Sequence, residues 1–562
     1  MTRMLTAALA IVAVSLASVA IASPAAASES ESPARLIEEM TGRDAVTNTA
    51  RRWQIEGTDL GIMWDDGNGG VLTAFGDTFG EWSGDGGGGS DWRSNVLLRS
   101  TDTDLGDGMS FDWALEDQPG HAGEIVGSKK EPGVEQTTIP TAGISIDGRQ
   151  FVSYMSVREW GDPGKWRTNF AQLIYSDDGG QTWTDDGAPR WENNSAGTNP
   201  FQMHAFAQHG DYLYVFGTPN GRFGAASLAR VAADAVLDKD AYEYFTGSGW
   251  SDQIADLQPI ISPRVAELSV HFDAQTGQWL MVYLNEDVDL VLRTASEPMG
   301  PWSEAQVLAS SADYPGLYGG YIHPWSPSGE LYFAMTLWGG YNVALMKAEY
   351  DSDGQLINPN MLSDPSFERT TDFTQEGPWT VQGSAGIDDS IDWAKLGAHQ
   401  FWLRDDHGFG EIAQTLAVEP NTTYRLSCWV KTGGAGDHGA LAARPSPSTD
   451  DDQPLLEVGF ESLQDWHRLS GTFNSAGNSA IEVYVASSFD AGDRWVQGDD
   501  CSLVRVESGT RGNQPTATQA ENPDERLPAT GAPSLAILAL VVGALGLGGV
   551  LWSRHRTGNR QP

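Results

Sequence analysis

Cysteine is almost missing from this chain: of 562 residues only Cys428 and Cys501 carry sulfhydryls. A scaffold stapled by disulfides is excluded, so nearly all of the chain must be held by packing. Positive charge is scarce too. Lys and Arg total 34 against 76 Asp and Glu, a formal net charge of −42. That argues against DNA, RNA or an anionic glycan as principal partner. It suits a protein working beside neutral polymers, or one kept soluble by its charge. The His residues show no close metal-ligand spacing, so His204, His271 and His323 are not read as a metal triad, and no cofactor is expected. Long apolar runs are confined to the two ends.

The ends carry address signals. Arg3 precedes an apolar run from Leu5 to Ala22, and Ser23, Pro24 and Ala25 to Ala27 follow. A charged start, an apolar middle and small residues read as a secretory signal peptide over 1–27, or else as a membrane anchor. At the other end Leu527-Pro528-Ala529-Thr530-Gly531 precedes an apolar run from about Leu535 to Trp552. Arg554, His555, Arg556 and Arg560 close it. The run is long enough to be held in a bilayer with the basic tail on the inside. This segment, 527–562, resembles the sorting signal of sortase substrates. The resemblance implies cleavage between Thr530 and Gly531 and joining of Thr530 to the peptidoglycan of a Gram-positive wall. Sortase and peptidoglycan are then partners, and the membrane is touched only transiently. The plain alternative is one membrane span with the same topology. Export permits Cys428 and Cys501 to pair, or to stay as thiols.

What is abundant is Trp (21), Tyr (15) and Gly (65). Aromatics between glycine-rich turns predict many short strands, an all-β chain. An acidic lead-in (28–45), a large unit (46–356), a second unit (357–507) and a polar linker (508–526) divide it. Five hairpins punctuate the large unit. Their turns are Asp65 to Gly70, Asp147-Gly148-Arg149, His209-Gly210-Asp211, Asp273 to Gln278, and Pro327 to Glu330. Such repetition predicts a five-bladed β-propeller. Ser176-Asp177-Asp178-Gly179-Gly180-Gln181-Thr182-Trp183 resembles the Asp-box of sialidases and related propellers, a structural turn, so Asp178 is assigned no catalysis.

The second unit alternates plainly in its middle strands, for example Tyr424 to Lys431, as a sandwich with one wet face does. Its order resembles the jelly-roll carbohydrate-binding modules of secreted glycosidases. Binding or a mere spacer would both fit. Trp393, Phe401 and Trp402 are its candidate ligand aromatics, or core.

Two acids stand out. Asp59 in Gly57-Thr58-Asp59-Leu60-Gly61 and Asp77 in Phe75-Gly76-Asp77-Thr78-Phe79-Gly80 are equidistant from Asn68 at the turn. In symmetric register they oppose each other with Cβ atoms roughly 4.5–5.5 Å apart. One pKa should then rise, the split that acid/base glycosidases use. A one-residue bulge would spoil that register. Hydrogen bonding to turn amides, or a metal site, would be the bland roles.

These two motifs resemble the start of the bacterial family known as domain of unknown function 4185, over residues 50–350. The resemblance implies a five-bladed propeller and an endo-acting D-arabinanase cutting the arabinofuranose chains of mycobacterial arabinogalactan and lipoarabinomannan. It also implies that Asp59 and Asp77 are the essential acids, with inversion at the anomeric carbon. Inversion wants carboxyls about 6.5–9.5 Å apart, more than a tight pair allows. Glu267 is therefore a third candidate, as acid or water-orienting group, or as the partner of Arg264 or another arginine. Glu135, Trp160, Trp166, His204, His271, His323, Trp338 and Tyr341 are candidate substrate contacts. Gly84 to Gly89 is either a mobile rim or a loose loop. Two other classes compete. One is another propeller glycosidase, an L-arabinan or galactan hydrolase or a sialidase; a sialidase would need three converging arginines, for which Arg93, Arg158, Arg167 and Arg264 are the candidates, and a Tyr nucleophile with a nearby acid. A surface lectin would use the acids only to bind.

Overall fold

A computed structural model of the chain describes residues 31–506, apart from 374–376, 391–392, 406, 449–452 and 490–492. The expected signal peptide, linker, Thr530–Gly531 cleavage point and apolar C-terminal run lie outside the described residues. Among those described, no helix is long and apolar enough to cross a membrane.

The fold is all-β and antiparallel. Each expected hairpin forms the first two strands of its own sheet. Sheet one contains Leu60–Asp65, Val71–Phe75, Val96–Ser100 and Trp113–Ala114. Sheet two contains Thr137–Ile146, Arg149–Trp160, Trp166–Ser176 and Arg190–Glu192. Sheet three begins with Met203–His209 and Tyr212–Thr218, and sheet four with Ala266–Asp273 and Gln278–Leu284. Sheet five contains Leu317–Ile322, Glu330–Leu337 and Asn342–Tyr350. The turn chemistry explains the hairpins. Asp147 and Gly148 both take positive φ, 52° and 83°, the geometry that matches strand twist in a two-residue hairpin.

The first strands of successive sheets pack side by side, and that of sheet five also packs on that of sheet one. Apolar layers fill the spaces between neighbouring sheets. Leu72, Leu97, Val152 and Ile174 lie between sheets one and two, and Phe216, Leu228, Trp279 and Met281 between sheets three and four.

The lead-in expected over 28–45 is partly a strand. Arg35–Glu39 pairs antiparallel with Asn342–Tyr350 and completes sheet five. Its partner is some three hundred residues away, so no local pattern announces it. The Asp-box folds as expected: Asp178 accepts hydrogen bonds from the Thr182 amide (2.8 Å) and hydroxyl (2.7 Å). Those bonds hold its carboxyl down at about 2, and Trp183 Nε1 donates to Gly180 O at 2.9 Å.

Residues 380–505 form two five-stranded antiparallel sheets facing each other over one core. Cys428 and Cys501 are disulfide-bonded across the adjacent strands Thr423–Thr432 and Arg494–Arg505. Of the proposed ligand aromatics, Phe401 is 0% exposed and belongs to the core. Trp402 covers Gly386, where a Cβ would stand 2.3 Å from its ring. Trp393 is 57% exposed.

The sandwich is fastened to the N-terminal strand. Lys395, its side chain only 2% exposed, donates to Glu38 at 3.0 Å, lies 3.8 Å from Glu39, and sits 4.2 Å over the Trp429 ring. Lys395→Met keeps the stem and deletes the charge, leaving two carboxylates without it. The expected cost is about 2–3 kcal/mol, below the full penalty of a broken buried pair because Glu38 and Glu39 keep some solvent. A urea melt measures it, and an unchanged midpoint would show that the pair holds nothing together.

Candidate functional site

Where the five first strands meet, a cavity of about 570 Å³ opens. Asp59 and Asp77 both line it, but not as an opposed pair. From Asp65↔Val71 to Ile62↔Ala74 the hairpin keeps the expected register, and then a bulge pairs Leu60 with Phe75. Leu60 and Gly61 take φ of 73° and 91°, conformations open to glycine and strained for leucine. The slip puts Asp59 opposite Gly76, whose amide donates to Asp59 O at 3.0 Å. A Cβ at Gly76 would stand 2.3 Å from Asp59 Oδ1, so the missing side chain is the space that the carboxyl occupies. Asp77 falls beyond the strand, in the link to the Thr78–Trp82 ribbon. Asp59 and Asp77 are therefore not the directly opposed pair that a symmetric register would give.

Similar slips recur around the cavity. Register shifts interrupt the first strands of sheets two, four and five, between Pro140 and Ala142, Ala266 and Ser269, and Tyr318 and Tyr321. Bulges re-aim side chains and are enriched beside active sites.

The two acids have different surroundings. Tyr318 donates to Asp59 Oδ2 at 3.0 Å, while Oδ1 has no hydrogen-bond partner among the described residues. Burial, reinforced by the nearby Asp77 charge, pushes Asp59 up to about 8 against the opposing pull of Tyr318 and Tyr341. Asp77 Oδ1 accepts from Trp92 Nε1 at 2.7 Å and from the Thr137 hydroxyl at 2.6 Å. Burial lifts Asp77 only to about 6, because those two donors and Lys130 favour its charged form. Near neutral pH the site therefore holds one protonated and one ionised carboxyl.

Glu267 lines the same cavity. It pairs with Arg222, not Arg264: Arg222 Nε and Nη2 both donate to Oε1, at 3.0 and 2.7 Å. Trp160 and Trp166 stand on one side, ring centres 5.6 Å apart, and Trp338 and Tyr341 on another, 5.8 Å apart. Trp160 and Trp338 are 40% and 54% exposed. The glycine loop is packed on this rim: a Cβ at Gly86 would stand 2.7 Å from the Trp338 ring, and Trp82 Nε1 donates to Gly86 O at 2.8 Å.

His204 lines the cavity from below, with Nδ1 2.7 Å from the Ser153 hydroxyl. Burial holds it down at about 3, so it is neutral. The remaining candidates lie elsewhere. Glu135 accepts from the Ser156 hydroxyl at 2.6 Å and is absent from the lining. His271 lines a separate cavity of about 320 Å³ with Trp64 and Gln208, and His323 is fully buried beside Trp325. Among the described residues no cluster of three or more His, Cys, Asp or Glu is arranged to hold a metal ion.

Arg222, Tyr318, Trp92 and Thr137 were not legible as site residues. Each acts on an acid from a different sheet or ribbon, so no spacing connects them. Of the arginines a sialidase would need, Arg93, Arg158, Arg167 and Arg264 are all outside the lining, where Arg222 is the sole arginine.

The family model described as "Domain of unknown function (DUF4185)" matches residues 44–347. "Notoamide biosynthesis cluster protein J" from Aspergillus sp. (strain MF297-2) is 35% identical over 334 residues, 55% of this chain and 87% of that protein. "Notoamide biosynthesis cluster protein J'" from Aspergillus versicolor is 37% identical over 312 residues, 52% of this chain and 83% of its own. Among solved structures, an exo-beta-1,3-galactanase from Phanerochaete chrysosporium aligns at 12% identity and a TM-score of 0.38, covering 83% of this chain and 99% of that one. That similarity is too low to bear an argument.

The raised Asp59 has a consequence for stability. A carboxyl protonated in the fold and ionised in the unfolded chain makes stability fall as pH rises between its two pKa values. For Asp59 that window runs from about 4 to about 8, and the loss is up to about 1.4 kcal/mol per pH unit. Asp59→Asn removes it. The variant is expected to melt above the wild type, with a gap that widens from pH 4 to pH 8. A gap independent of pH would mean that Asp59 titrates as an ordinary surface acid.

Proposed function

The chain belongs to the DUF4185 family, and on that premise we propose that it is a glycoside hydrolase in which Asp59 is the general acid and Asp77 the general base. The observation that carries this reading is the pair of carboxyls in one cavity, one held up to about 8 and the other to about 6. Asp59 gives its proton to the leaving glycosidic oxygen. Its Oδ1, with no partner among the described residues, is the atom placed to do so. Asp77, anchored through Oδ1, takes a proton from the attacking water. Water entering opposite the leaving group gives inversion.

The five sheets are read as the blades of a five-bladed propeller, with the cavity at its centre. The substrate is read as D-arabinan of mycobacterial arabinogalactan and lipoarabinomannan, cut internally. The carriers of that choice are the Gly57–Gly61 and Phe75–Gly80 motifs and the family they belong to. Exposed Trp160 and Trp338 would flank the cut chain, since aromatic faces stack on sugar C–H groups. The fungal relatives' names state no reaction, so the chemistry rests on the cavity. The sandwich is proposed as a glycan-binding module. The terminal signals support display of the enzyme on a cell wall after sortase cleavage at Thr530.

The test is oligosaccharide release from mycobacterial arabinogalactan by the purified protein. Asp59→Asn and Asp77→Asn should each lower the rate at least about 100-fold. The wild-type rate should rise with pH through about 6 as Asp77 ionises and fall through about 8 as Asp59 does. Release that survives both substitutions would move the chemistry to other residues. No release by the wild type would defeat the arabinanase reading.

A further inference from the structure

Two carboxyl oxygens in the cavity have no hydrogen-bond partner among the described residues: Asp59 Oδ1 and Glu267 Oε2. The mechanism above uses the first and leaves the second idle. The Glu267 side chain is only 9% exposed, so Oε2 lacks the water that would satisfy a surface acid. A buried acceptor with no donor is costly, and such atoms are rare unless something binds there.

Glu267 is also held with care. It stands in the bulge of its strand at a φ of 48°, a conformation seldom tolerated away from function. Two donors of Arg222, Nε and Nη2, both go to Oε1. The guanidinium itself lies 5.3 Å from the centre of the Tyr318 ring, the same tyrosine that donates to Asp59. Glu267 is thus fixed in orientation, with one oxygen consumed and the other left open in the cavity that Asp59 also lines. The paired donors of Arg222 fix its carboxylate plane, which makes Oε2 a well-oriented acceptor.

We propose that Glu267 is a specificity-determining residue whose Oε2 accepts a hydrogen bond from one hydroxyl of the sugar ring bound beside Asp59. This rests on the hydrolase reading. It replaces the acid or water-orienting role with recognition: the site takes a sugar bearing a hydroxyl at that position and rejects the deoxy sugar, because rejection leaves the buried acceptor unpaired. Arg222 is the positioning residue that aims it.

The experiment compares D-arabinofuranosyl oligosaccharides lacking one ring hydroxyl at a time, using the wild-type protein and Glu267→Gln. The wild type should reject one monodeoxy substrate by about 10- to 100-fold in kcat/KM, the range of a single hydrogen bond to a charged acceptor. Glu267→Gln should lose most of that discrimination, and on the full substrate its defect should fall mainly on KM, as loss of uniform binding does. Three outcomes would overturn the proposal: wild type rejecting no monodeoxy substrate more than about threefold, a variant that discriminates as the wild type does, or a defect confined to kcat. The wild-type measurement needs no variant to fold. Wild type that cleaves none of the substrates fails the hydrolase reading itself and this assignment with it, whereas an active wild type indifferent to every hydroxyl fails this assignment alone.

Discussion

Four of the five innermost strands break register where they pass the cavity, and the site depends on those breaks. A regular strand alternates its side chains between two faces, and both faces here are needed for packing against neighbouring sheets. Inserting an extra residue re-aims a side chain that the alternation would otherwise commit to one of those faces. The bulge at Leu60 and Gly61 releases Asp59 from the ladder, and the one between Ala266 and Ser269 releases Glu267. The bulge between Tyr318 and Tyr321 frees the tyrosine that meets Asp59. The first strand of sheet three, regular through seven pairs, brings only Met203 and neutral His204 to the cavity, and Arg222 comes from the loop after the second strand.

The bulges also explain the glycines around the acids. Gly61 supplies the left-handed backbone that the slip requires, and Gly76 leaves the volume that the Asp59 carboxyl fills. The motif is therefore packing geometry around a buried carboxyl, and its acids cannot be separated from its glycines. Asp77 needs no bulge because it lies past the end of its strand, and its donors come from elsewhere: Trp92 from the ribbon, Thr137 from sheet two. Both acids are desolvated, and each feels the opposing pull of two donors. What separates their proton affinities is the neighbouring charge: Asp77 raises Asp59, whereas Lys130 favours ionised Asp77.

Much of the fold was legible because it is local. Turn residues such as Asp147-Gly148 fix their hairpins by backbone conformation alone, and the Asp-box ties itself with bonds four residues long. The cysteine pair and the two acids were visible as isolated signals. What was hidden is non-local or off by one residue. Arg35–Glu39 joins a strand near residue 345, Arg222 reaches Glu267 from another sheet, and the bulge at Gly61 shifts Asp59 by one place. Phe401 looked like a ligand platform because alternation says which residues share a face and not which face is buried. The histidines illustrate the same limit: three similar positions in successive hairpins ended beside the cavity, in a second cavity and in the core.

The separation of the two carboxyls bears on how the acids work together. An opposed pair on a flat hairpin would sit close and share one proton, which suits a dyad titrating as a unit. Slipping Asp59 onto Gly76 and leaving Asp77 in the link breaks that symmetry, and each acid acquires its own donors. The Asp77 charge still raises Asp59, so ionising Asp77 helps to keep Asp59 protonated. This coupling ties the first bulge to the electrostatics as well as to the shape: it leaves the acids near enough for the charge on Asp77 to raise the proton affinity of Asp59.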